Sequence, residues 1–155
     1  MIFVTVGTFE MPFNRLLESL EKLNLEEKII IQSGYNNFKS KKYKTVSFMN
    51  NDEFEQCIND ARLVICHGGV GSILSAIKKH KKVIAIPRLE KYNEHVDDHQ
   101  IEIVNKFYDS GYILKCNDEK QLQSIINSAN LFEPKEYILK NNRLISFIER
   151  TIELL

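Results

Sequence analysis

The run from His67 to Ile77, HGGVGSILSAI, holds the residue types best suited to chemistry. It joins an apolar run, RLVIC, to a helical repeat of Val70, Ile73, Leu74 and Ile77. Gly68, Gly69 and Gly71 let the backbone turn tightly and let a ligand come close. Ser72 falls in the first helical turn, where N–H groups lack intrahelical acceptors and the helix dipole is positive. A phosphate or diphosphate is the natural ligand of such a turn. A turn that only packs a strand against a helix needs fewer of these residues. The motif is not a Walker A loop, since no Gly-Lys-Ser/Thr follows. Nor is it a dinucleotide fingerprint, because Leu74 stands where a third glycine is expected.

Two other segments could share the site. Gly7 and Thr8 form a turn between the first apolar run and the first helix, so they could face the same phosphates. The polar run KYNEHVDDHQ, from Lys91 to Gln100, crowds Glu94, His95, Asp97, Asp98, His99 and Gln100 around a helix start. Asp97 and Asp98 would favour that start electrostatically. Asp98, His99 and Gln100 also offer the mixed donors and acceptors that sugar hydroxyls need. His95 and His99 are four apart, but the pattern places no third ligand beside them, so the reading is no metal.

These turns need elements to hold them. MIFVTVG, KIIIQSG, TVSFM, RLVICHGG, KVIAIP and GYIL read as strands. Between them, apolar residues recur at helical spacing: Phe13, Leu16, Leu17, Leu20 and Leu23, then Phe54, Cys57, Ile58 and Ala61 behind Asn51 as N-cap. A helix is expected from about His95 to Tyr108, one at Leu122 to Ala129, and a terminal one carrying Leu144, Ile148, Ile152 and Leu155. This alternation predicts an α/β fold with a doubly wound, mostly parallel sheet. Ligands bind such sheets at the carboxyl ends of the strands. That rule selects the turns after Val6, Gln32, Cys66 and Ile86.

Composition narrows the classes. The 155 residues fit a single domain, 1–155, without internal repeats. Formal net charge is zero, which argues against a nucleic-acid surface. Cys57, Cys66 and Cys116 are widely spaced and fit a reduced, cytosolic setting, with Cys57 and Cys66 reading as packing residues. No apolar run approaches the roughly 20 residues of a membrane span, and no leader is visible. The basic cluster from Lys39 to Lys44 is either a solvated loop or a contact for an acidic partner or lipid headgroups.

FVTVGT, QSG, ICHGGVGSIL and HVDDHQ together resemble the glycosyltransferase family 28 C-terminal domain. More closely, the chain is similar to small catalytic subunits of two-component transferases. These include the eukaryotic subunit of dolichol-linked N-acetylglucosamine transfer and bacterial exopolysaccharide and capsule subunits of the PssE type. The resemblance implies the Rossmann-like donor-binding half of a GT-B enzyme. Gly7, Thr8, Gly68, Gly69, Gly71 and Ser72 would then hold a UDP diphosphate, His67 would border it, and Asp98, His99 and Gln100 would lie near the hexose. Transfer would invert the anomeric centre, with no metal and no cofactor beyond the UDP-sugar. Relatives often carry an acidic ribose ligand where Ser75 stands; Ser75 can make one hydrogen bond there but carries no charge, so either ribose recognition is weaker or another group such as Glu90 or Glu94 serves. The acceptor site and general base would lie on a membrane-anchored partner that binds a lipid-linked saccharide. This chain would then sit in the cytoplasm at the inner face of the membrane. UDP-galactose, UDP-glucose, UDP-glucuronate and UDP-N-acetylglucosamine all stay open as donors. The Lys/Asn/Ile-rich composition favours a polysaccharide role. A non-catalytic nucleotide-sugar-binding scaffold is the alternative.

Overall fold

The computed structural model describes residues 1–138 and 142–153. Six parallel strands form one sheet in the order β3-β2-β1-β4-β5-β6. They are β1 (Ile2–Thr5), β2 (Ile29–Gln32), β3 (Lys44–Val46), β4 (Leu63–His67), β5 (Lys82–Ile86) and β6 (Leu114–Lys115). The helices are α1 (Asn14–Glu21), α2 (Asn51–Asp60), α3 (Val70–Ile77), α4 (His99–Asp109), α5 (Leu122–Ser128) and α6 (Asn142–Glu153).

Helices cover both faces of the sheet, which explains why the central strands are near-continuous apolar runs. Phe3, Val64 and Val83 point to one face and pack with Ile58 of α2, Ile73 of α3, Val104 of α4 and Leu144 of α6. Val4, Ile65 and Ile84 point to the other and pack with Leu16, Leu17 and Leu20 of α1 and Leu122 and Ile126 of α5. Leu155, expected on the terminal helix, and the side chain of Ile152 lie outside the described residues. Among the described residues no helix is long and apolar enough to cross a membrane.

Several element boundaries differ from the sequence expectation. β3 stops at Val46, and Phe48 is exposed, edge-on to Tyr35. The chain bends there because Val46 and Ser47 give their carbonyls to the N–H groups of Ser33 and Gly34. Asn50, not Asn51, caps α2, in a reciprocal capping box with Glu53. Helix α4 starts at His99, four residues later than expected. The preceding loop carries a 3-10 turn (Glu90–Tyr92) and a left-handed Asn93. Asp97 and Asp98 hold it by accepting the N–H groups of His99 and Glu90. In the basic cluster, the Lys42 ammonium donates to the carbonyls of Glu21 and Leu23.

Candidate functional site

The strand order reverses between β1 and β4, where neighbouring chains leave the sheet toward opposite faces and open a crevice. A cavity of about 390 Å³ lies there. Its walls are Thr5 at the end of β1 and Gly7 and Thr8 beyond it, Gln32 at the end of β2, Met49, Asn50, Asn51 and Phe54 around the start of α2, and His67, Gly71 and Ser72. A larger cleft of about 550 Å³, lined by residues 23–29 and 42–44, lies at the amino ends of β2 and β3, the wrong end of such a sheet for ligands.

Helix α3 opens without a side-chain cap at Gly69 and without acidic residues in its first turn. The N–H of Ile73 returns to Gly69 at 3.2 Å. Those of Val70, Gly71 and Ser72 have no acceptor among the described residues, so donors and dipole face the cavity together. The glycines differ in purpose. A Cβ on Gly69 would lie 2.2 Å from His67 Nε2, and one on Gly68 2.9 Å from Gln100 Cβ and Val104 Cγ2. Gly7 has φ +76°, and a Cβ there would meet His67 Cε1 at 2.5 Å. A Cβ on Gly71 would meet nothing within 4 Å. Gly7, Gly68 and Gly69 thus make room for His67 and α4, whereas Gly71 leaves open space over the free N–H groups.

His67 is wedged between Gly7 and Gly69. Its Nδ1 is buried with no partner among the described residues. Burial first, then the Arg88 cation, depresses its pKa to about 4, against a weaker opposing pull from the Thr5 backbone. The ring is therefore neutral at neutral pH and offers one donor and one lone pair. Arg88 itself is fully buried. Its Nη1 donates to the carbonyls of Met11 at 2.7 Å and Glu94 at 3.0 Å, and its Nη2 to Val6 at 2.8 Å. Its guanidinium sits 4.8 Å from the Phe13 ring centre. Burial pulls its pKa down to about 10, against the pull of Glu94.

The structure brings Gly7, Thr8, His67, Gly71 and Ser72 onto one cavity and sets Gly69 against His67 and Gly68 against α4. Ser75 lies half-buried one turn along α3, off the cavity walls. Glu94 turns inward: its carboxylate takes Arg15 at 2.8 and 2.9 Å and the N–H of Leu89 at 3.0 Å. It is thereby occupied, and a ribose contact is not open to it. Gln100 is buried, its Oε1 taken by the N–H groups of Gly68 and Arg88. Asp98 is exposed, and His99 turns to Asp97. Glu90 is exposed in its 3-10 turn. Sequence reasoning missed Asn50, Asn51 and Phe54 on the wall, and Arg88 behind it. Extending the strand-end rule to the turn after the third strand would have found the first three.

Six parallel strands in this order, with a glycine turn at the reversal, form a Rossmann-like fold of the kind found in GT-B glycosyltransferases. The chain belongs to the glycosyltransferase family 28 C-terminal domain, whose model matches residues 1–155. It is similar to the human "UDP-N-acetylglucosamine transferase subunit ALG13", 28% identical over 128 residues, covering 74% of this chain and 11% of the human protein. The Yarrowia lipolytica subunit of the same name is 27% identical over 181 residues, covering 100% of this chain and 86% of the relative. Among solved structures, an NMR structure of ALG13 shares the fold at TM-score 0.61 and 22% identity, covering 98% of this chain and 94% of that one. Acinetobacter baumannii MurG does so at TM-score 0.59 and 17% identity, covering 84% and 42%. The chain thus spans only about a tenth of the human relative.

Proposed function

We propose that this chain is the UDP-sugar-binding subunit of an inverting glycosyltransferase whose acceptor is a lipid-linked saccharide. The observation that carries the reading is the open first turn of α3, where the N–H groups of Gly71 and Ser72 face a cavity shared with Gly7 and Thr8. Fixed donors and a helix dipole stabilise the charge that develops on departing UDP. The relatives above are named for N-acetylglucosamine transfer, which puts UDP-N-acetylglucosamine first among the four donors. They lend no support to the exopolysaccharide or capsule role expected from composition.

Among the described residues no carboxylate lines the cavity and His67 is its one histidine, held neutral by burial beside a cation. The reading therefore assigns the general base and acceptor site to a membrane-anchored partner, which also holds this chain at the cytoplasmic face. Calorimetry with UDP, with and without the partner, is the test. Gly71→Ala combined with Ser72→Ala should weaken UDP binding, and binding that survives the double change intact would remove the phosphate assignment. The carboxylate-free wall equally suits a non-catalytic nucleotide-sugar-binding subunit. Sugar transfer by the reconstituted complex with lipid acceptor would rule that reading out.

A further inference from the structure

His95, Asp97 and His99 bring three metal-binding atoms together on the loop that enters α4. One ring nitrogen from each histidine and one Asp97 carboxylate oxygen lie within 4.8 Å of one another. Asp97 Oδ1 stands 3.4 Å from His95 Nδ1 and contacts His99 Nδ1 directly. The His95–Asp97 spacing is what two ligands of a tetrahedral ion with bonds of about 2.1 Å require, and the Asp97–His99 pair, now in contact, would part to the same spacing around an ion.

A helix running from His95 would have turned Asp97 roughly 200° away from that histidine, on the opposite side. The actual start at His99 reverses this. Asp97 accepts the His99 N–H at 3.0 Å, and its carboxylate folds back to a nitrogen of each ring. The cluster is also held from within. Phe9 stacks on His95 at 4.6 Å and 19°, and His99 meets His95 edge-on at 4.6 Å and 78°. His95 is largely buried while the Asp97 side chain is 57% exposed, so the ligand set has a fixed inner wall and an open approach from solvent.

We infer that His95, Asp97 and His99 form a binding site for a divalent transition-metal ion, zinc first. Two imidazoles and a carboxylate are a borderline donor set that favours zinc, nickel or copper over magnesium or calcium. Three protein ligands leave a coordination position for water or another donor. A bound ion would tie the loop before α4 to that helix's first turn, beside the Gln100 amide that holds Gly68.

The test is a titration of the tag-free chain, stripped with chelator, using Zn²⁺ in a calorimeter and Co²⁺ as a visible-absorption probe. One equivalent per chain is expected, with cobalt d–d bands and a higher Tm in zinc. His99→Ala and Asp97→Asn should each weaken binding at least tenfold. Asp97→Asn keeps an oxygen for the His99 N–H, so it separates loss of a ligand from loss of the turn. Binding well below one equivalent, or zinc affinity that both variants leave unchanged, would overturn the assignment.

Discussion

The side-chain oxygen of Gln100 accepts the backbone N–H of Gly68 at 3.0 Å, and the same oxygen accepts that of Arg88 at 3.0 Å. One amide in the first turn of α4 thus fixes the chain where it leaves both β4 and β5. Gln100→Met keeps the length and removes the acceptor, stranding two buried N–H groups at about 1–3 kcal/mol each. Urea denaturation should show a loss of about 3 kcal/mol at unchanged m-value. UDP affinity should fall with it, because Gly68 leads into the phosphate turn. A loss under about 1 kcal/mol would mean that water replaces the amide.

Gly69→Ala and Gly71→Ala should separate packing from ligand approach. The first drives a methyl group to 2.2 Å from His67 Nε2 and should destabilise the fold. The second meets nothing within 4 Å and lies inside α3, where alanine is favoured over glycine by up to about 1 kcal/mol. Gly71→Ala should therefore keep or raise Tm while weakening UDP binding. A lower Tm with unchanged UDP affinity would show that Gly71 serves the fold rather than the ligand.

The fold was legible because the strands are buried on both faces, so β1, β2, β4 and β5 appear as unbroken apolar runs at regular spacing. The glycine turn was legible for the same reason: it interrupts such a run just before a helical period. The loop from Pro87 to Asp98 was not. Its shape depends on side-chain contacts remote in sequence, above all Arg88 to Val6 and Met11, and Glu94 to Arg15. Glu94 and Gln100 look like solvent-facing polar groups when read locally, and only those partners turn them inward. Likewise, nothing local distinguishes Gly71 from Gly69, because the difference is whether His67 occupies the space.

The depressed pKa of His67 ties stability to pH. The unfolded chain takes up a proton near pH 6.5, while the folded chain resists it down to about pH 4. The contribution is fully present above pH 6.5 and is lost as pH falls toward 4. The loss amounts to at most about 3 kcal/mol. Urea denaturation across this range should show wild type losing stability more steeply than His67→Gln. Part of the slope should persist in that variant, since burial also lowers the His95 pKa. Equal slopes in the two proteins would show that the fold does not depress the His67 pKa.

Arg88 offers a way to divide that depression between burial and charge. Arg88→Met removes the cation and frees three carbonyls, those of Val6, Met11 and Glu94. Because those bonds join the loops beyond β1 and β5, the variant should lose on the order of 3 kcal/mol or more, read by denaturation. Arg88→Lys keeps the charge but cannot reach all three carbonyls in one plane, so it should be destabilised too. The two should part in an NMR titration of His67. In the Met variant the imidazole pKa should rise, since a nearby positive charge no longer opposes protonation. It should stay below 6.5, because burial is the larger cause. In the Lys variant it should stay close to wild type. A His67 titration identical in wild type and the Met variant, with the fold intact by spectrum, would assign the whole depression to burial.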